Sequence, residues 1–253
     1  FKPEPMRHYM DALNRGIAAR VEEWGAGPMR FYPAIKELTL DLAADSFLGL
    51  PWGPEAAKIN RAFVDMVQAS VAPIRAPLPF TQMKRGVDGR AFLVDYFTRE
   101  VSKRRSGEGM GQDMFSQFAT ATREDGSLLP IDEVVDHMNF LMMAAHDTIT
   151  SSATALVYQL ALHPEWQEKL RAEALAVADN GELAYDNLGR MELTEMAFKE
   201  ALRLIPPVPS MPRRALRDFE FGGYRIPAGT HVGINVHWTH HSTDYWDEPE
   251  RFE

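Results

Sequence analysis

A chain of 253 residues with 45% hydrophobic and 25% charged side chains is large enough for one sizeable domain or two small ones with a real core. Its formal net charge of -9 argues against a nucleic-acid partner, because phosphate binding asks for a basic face. The absence of cysteine excludes disulfides, thiolate nucleophiles and zinc–thiolate sites within these residues.

No apolar run approaches the ~20 residues of a membrane span. The longest, Phe140 to Ala145, runs straight into His146 and Asp147. Phe1-Lys2-Pro3-Glu4-Pro5 reads as the interior of a longer protein, and Pro249-Glu250-Arg251-Phe252-Glu253 stops without a terminating element. The expectation is a fragment, for which missing targeting signals carry no weight.

In chain order, Pro33 to Phe47 places Ile35, Leu38, Leu42 and Ala43 at the three- and four-residue spacing of an amphipathic helix. Ala56 to Val71 repeats the pattern with Ile59, Phe63, Met66 and Val67. Three prolines then forbid continuous helix through the apolar stretch Ala72 to Phe80. That loop is either packed down or a lid over a hydrophobic ligand. Gln82 to Arg105 predicts a helix whose basic last turn suits the negative end of the dipole. A short helix follows over Met114 to Thr122, then a turn at Glu124-Asp125-Gly126-Ser127.

Pro130 to His163 carries the strongest helical signal. Pro130 suits a first turn, Asp132 and Glu133 favour its positive end, and Pro164 closes it. At about 1.5 Å per residue this makes a rod of roughly 48 Å. Its middle, Met138 to Ala145, is apolar on nearly every side, which predicts burial all round. Helices over Pro164 to Ala178 and Thr194 to Leu204 follow, the latter with Thr194 as cap. Beyond Ile205-Pro206-Pro207-Val208-Pro209, Phe219 to Ile226 reads as a hairpin around Gly222-Gly223, and Thr230 to Val236 as a strand. The expected fold is mainly α with a small antiparallel β appendage: one domain over residues 1–253, helical over 1–204, hairpins and loop over 205–253.

Three local patterns carry chemistry. Ala144-Ala145-His146-Asp147-Thr148 sets a carboxylate beside a hydroxyl inside the apolar rod. The couple can relay protons into a dry pocket, and the small residues before it let a bulky group approach the backbone; equally, Thr and Ser can bond to the preceding turn and merely bend the helix. Glu200 and Arg203 share a helix face and can pair. Arg251 in Pro249-Glu250-Arg251-Phe252 could join them in a network that pins a loop to that helix.

The order and spacing of these patterns resemble the cytochrome P-450 family of haem-thiolate monooxygenases, over essentially the whole chain. Ala-Ala-His-Asp-Thr resembles its oxygen-activation motif, with alanine at Ala145 where glycine is commoner. The resemblance implies that Asp147 and Thr148 deliver protons to bound dioxygen. It also implies that Ala144, Ala145 and Thr148 lie against the haem, and that Glu200, Arg203 and Arg251 hold the fold around it. Pro206 to Arg213 is similar to the family's cofactor-contacting strand, which makes Arg213 the partner of a haem propionate. Met143, Val208, Ser210 and Met211 would face a hydrophobic small-molecule substrate. Electrons would come from NAD(P)H through a ferredoxin or reductase-type partner. The family's axial cysteine would lie beyond Glu253, so the fragment alone is expected to be inactive and to hold no metal ligand. A bacterial-type soluble, cytoplasmic protein is the expectation, with a membrane anchor before Phe1 left open.

Two other classes compete. His146-Asp147, with His137, His8 and Asp186, invites a metal-dependent phosphohydrolase, and His231, His237, His240 and His241 invite a zinc site. A non-enzymatic helical module binding a hydrophobic molecule would use the proline-rich loop equally well.

Overall fold

The structure, a computed structural model, describes residues 3–253, apart from the side chains of Glu4, Pro5, Ala145 and His146. Its helices are α1 (Pro3–Trp24), α2 (Phe31–Leu48), α3 (Pro54–Ala69), α4 (Gln82–Arg105), α5 (Met114–Thr120), α6 (Ile131–Leu162), α7 (Pro164–Val177), α8 (Glu192–Leu204) and α9 (Val236–His240). The strands are β1 (Ser210–Arg214), β2 (Phe219–Phe221), β3 (Tyr224–Ile226) and β4 (His231–Asn235). The fold is therefore mainly helical with small antiparallel sheets, as the residue pattern implies. Two compact units arise: Phe1–Thr150 with Ala178–Leu188, and Ser151–Val177 with Gly189–Glu253.

In the first unit, α3 and α4 pack closely because α4 offers glycines where α3 offers small residues. A Cβ on Gly86 would stand 2.2 Å from the Ala69 Cβ, and one on Gly89 would stand 2.5 Å from the Ala62 carbonyl oxygen. Ile59, Phe63, Leu93, Phe97, Val101 and Phe115 form the surrounding core with Val134, Met138 and Met142 of α6. Thr81 caps α4 by accepting the Lys84 N–H at 3.1 Å, and the helix ends on Lys103, Arg104 and Arg105. Arg104 is buried there, satisfied by Glu100 at 2.8 Å, the Leu48 carbonyl at 3.0 Å and the face of Phe115. The segment Ala178–Leu188 joins this unit through α1: Arg7 grips Asp186 at 2.7 and 3.1 Å, and Asn14 donates to the Leu183 carbonyl.

The loop between α3 and α4 is not packed down. Ile74, Leu78 and Phe80 are exposed, Phe80 by 98%, and Phe80 takes a positive φ of 66°. Only Ala72 of that stretch is fully buried.

In the second unit, Ala155, Leu170, Ala197, Ala201 and Leu204 close around Phe252, whose ring stacks on His163 and meets Trp166 edge-on. β1 pairs antiparallel with β4 from Ser210↔Asn235 to Arg214↔His231, and β2 pairs with β3 across the Gly222-Gly223 turn. The expected cap at Thr194 is replaced: α8 begins at Glu192, and Thr194 gives its hydroxyl to Glu173 of α7 instead.

Candidate active site

Helix α6 runs unbroken over 32 residues, and two faces of it behave differently. Val134, Val135, Met138 and Met142 are buried, as is Thr150 at 0% exposure. Phe140, Met143, Ala144 and Thr148 are exposed, Phe140 by 64%. Burial all round, expected from composition, is thus corrected to burial on one side. The open stripe falls at the i, i+3, i+4, i+8 spacing of a single helix face.

Asp147 and Thr148 occupy this opened stretch. The Thr148 hydroxyl donates to the Ala144 carbonyl at 2.7 Å, the one-turn back-bond that bends a helix. Asp147 is half-exposed and faces Lys36 of α2, with Nζ 3.9 Å from a carboxylate oxygen. Three positions on, Thr150 meets Thr39 of α2, hydroxyl to hydroxyl, at 3.0 Å. The sequence reading missed Lys36 and Thr39. Their available signal was two polar residues on one face of an otherwise apolar-striped helix. The haem-facing role expected of Ala145 falls on a side chain outside the described residues, as does any role for His146.

In the second unit, the Arg203 side chain is 6% exposed and that of Glu200 is 16% exposed. The guanidinium binds the carboxylate at 2.6 and 2.8 Å and donates to the carbonyls of His240, Pro249 and Arg251. Its flat face lies 4.6 Å from the Trp246 ring centroid. Arg251 joins through its backbone oxygen alone. Its side chain is exposed and pairs with Glu248 at 2.6 Å and Glu253 at 3.5 Å, so the expected network of two guanidiniums and one carboxylate has one guanidinium fewer. Arg213 on β1 is exposed, donates to its neighbour's carbonyl at 2.9 Å, and makes no ion pair among the described residues. Val208 and Ser210 are exposed and Met211 is half-buried opposite Ile234.

Features relevant to the rival metal readings lie elsewhere. The Asp186 carboxylate is taken by Arg7, and the His137 ring bonds the Glu133 carbonyl at 2.6 Å. His237 and His241 stack at 4.1 Å, with His241 bonded to the His237 carbonyl. Among the described residues no three His, Cys, Asp or Glu side chains are grouped to hold a metal ion. Among the same residues no helix is long and apolar enough to cross a membrane.

The sequence model of the Cytochrome P450 family matches residues 54–253. The chain belongs to that family. It is 37% identical over 251 residues to "Putative cytochrome P450 136" of Mycobacterium tuberculosis, covering 97% of this chain and 50% of that protein. It is 28% identical to Beta-amyrin 6-beta-monooxygenase of Solanum lycopersicum, covering 100% and 54%. Among solved structures, retinoic acid-bound cyanobacterial CYP120A1 superposes with a TM-score of 0.88 at 25% identity, covering 100% of this chain and 58% of that one. The chain thus spans about half the length of the curated relatives it matches.

Proposed function

We propose that the whole protein is a haem monooxygenase that places one oxygen atom of dioxygen on a hydrophobic small molecule. In balance, a substrate C–H bond, dioxygen, two electrons and two protons give a C–OH bond and water. The electrons come from NAD(P)H through a ferredoxin or reductase-type partner. The observation that carries this reading is the open face of α6, where Ala144 and Thr148 stand exposed beside the Asp147 carboxylate.

Those residues fit the cofactor. Ala144 has no side chain beyond Cβ, so a flat ring can approach the helix, and Phe140 and Met143 extend the surface with apolar atoms. Arg213 offers an exposed guanidinium for a propionate. When bound, haem would supply the binding and redox activation of dioxygen. The 253 residues contain no cysteine, so by themselves they should lack activity. The Asp147 carboxylate, half in solvent, takes up protons, and the Thr148 hydroxyl passes them inward once it releases the Ala144 carbonyl. Met143, Val208, Ser210 and Met211 would contact substrate, and the retinoic acid bound to CYP120A1 is in keeping with an apolar one.

The test uses D147N and T148A in the full-length haem protein, with retinoic acid as the substrate probe and electrons supplied by a ferredoxin and its reductase. Each variant should divert electrons from product to hydrogen peroxide. Tight coupling in both would remove the relay.

A further inference from the structure

We infer that Lys36 and Thr39 of α2 are positioning residues: together they fix the rotation of α6 at the turn that carries Asp147 and Thr148. The inference rests on the relay reading only for its consequence in catalysis; the clamp itself is a matter of geometry.

Lys36 and Thr39 lie three apart on α2, and Asp147 and Thr150 lie three apart on α6, so each pair shares a helix face. The rungs are Lys36 Nζ to Asp147 at 3.9 Å and the Thr39–Thr150 hydroxyl pair at 3.0 Å. One contact between two helices is a pivot; two contacts a turn apart oppose rotation about the axis. Thr148 lies between the rungs in sequence, so the direction of its hydroxyl follows from that rotation.

The two rungs differ in kind. Thr150 is fully buried, and a buried hydroxyl requires partners. The Thr39 hydroxyl also lies 3.1 Å from the Lys36 carbonyl. With a single proton to give, Thr39 can donate there while accepting from Thr150. The hydroxyl pair is therefore the dry, directional rung. The Lys36–Asp147 rung lines a cleft of about 240 Å³ together with Gln68 and Ser70 at the end of α3. It is partly wetted, with 27% and 49% of the two side chains exposed, and exposed ion pairs add little stability. Its use is to aim the carboxylate.

The experiment is made on the full-length haem protein with K36M, K36R, T39V and T39S, alongside D147N and T148A. Two quantities are read: amide hydrogen exchange across residues 144–151, and hydrogen peroxide released per electron pair with retinoic acid as probe. K36M and T39V should speed exchange and raise peroxide by roughly two- to five-fold, the factor one exposed pair or hydrogen bond commands. K36R and T39S, which keep the charge and the hydroxyl, should restore both. Wild-type exchange in K36M and T39V overturns the clamp. Faster exchange with unchanged peroxide, while D147N and T148A uncouple, overturns the positioning role and leaves the relay intact. Full coupling in D147N and T148A removes the relay and the positioning role with it.

Discussion

Arg203 holds Glu200 with a two-pronged hydrogen bond, Nε at 2.8 Å and Nη2 at 2.6 Å, while its remaining donors take carbonyls 37, 46 and 48 positions further along the chain. One planar guanidinium thus ties helix α8 to the segment after α9. Lysine keeps the charge but has neither the fork nor the number of donors.

Removing Arg203 strands a mostly buried carboxylate and three carbonyls. R203A should cost about 3–5 kcal/mol, and R203K should recover only part of it. Urea unfolding of the full-length protein, with haem content measured in parallel, checks this. A wild-type midpoint with full haem in R203A would show that the network is dispensable.

The α3–α4 contact allows a prediction of sign. In an exposed helix, replacing glycine by alanine gains up to about 1 kcal/mol. Here the new methyl of G89A would stand 2.5 Å from the Ala62 carbonyl oxygen, and that of G86A 2.2 Å from the Ala69 Cβ and 2.7 Å from the Asp65 carbonyl oxygen. Backbone cannot yield as a side chain can, so each should instead lose about 1–3 kcal/mol from overpacking. A thermal midpoint that rises in G89A would place the helices further apart.

What could be read from the sequence follows the range of the interactions involved. Helix α4 was predicted over the residues it occupies, because its cap at Thr81 and its basic end are local signals. The Glu200–Arg203 pair was legible for the same reason: a three-residue spacing on a helix. Helix α1 was not assigned; its attachments, Arg7 to Asp186 and Asn14 to Leu183, lie 179 and 169 residues away. The part Arg251 plays was legible as a position but not as an atom, since the sequence does not distinguish a guanidinium from a carbonyl oxygen. The open face of α6 was misjudged because composition reveals which residues are apolar, not which neighbours cover them. The cap of α8 was misplaced because its acceptor, Glu173, comes from the preceding helix.

That last contact gives the protein a pH-dependent joint. Glu173 accepts the Leu193 N–H at 2.7 Å, the Thr194 N–H at 2.8 Å and the Thr194 hydroxyl at 2.7 Å. These are donors in the first turn of α8, where an anion also meets the positive end of the helix dipole. Desolvation pushes the carboxyl up, but the hydroxyl and the two N–H groups together outweigh it and hold the group below its ordinary 4.5. A depressed native value means that the contribution to stability is complete above about pH 4.5 and is lost as the pH falls through the native value. Glutamine keeps one acceptor oxygen and loses the charge, so E173Q should be less stable than wild type at pH 7. The difference should shrink as the pH is lowered and vanish once Glu173 is protonated. Denaturant unfolding of both proteins between pH 7 and pH 3 measures it. A gap that stays constant across that range would mean that the carboxylate charge plays no part in starting α8.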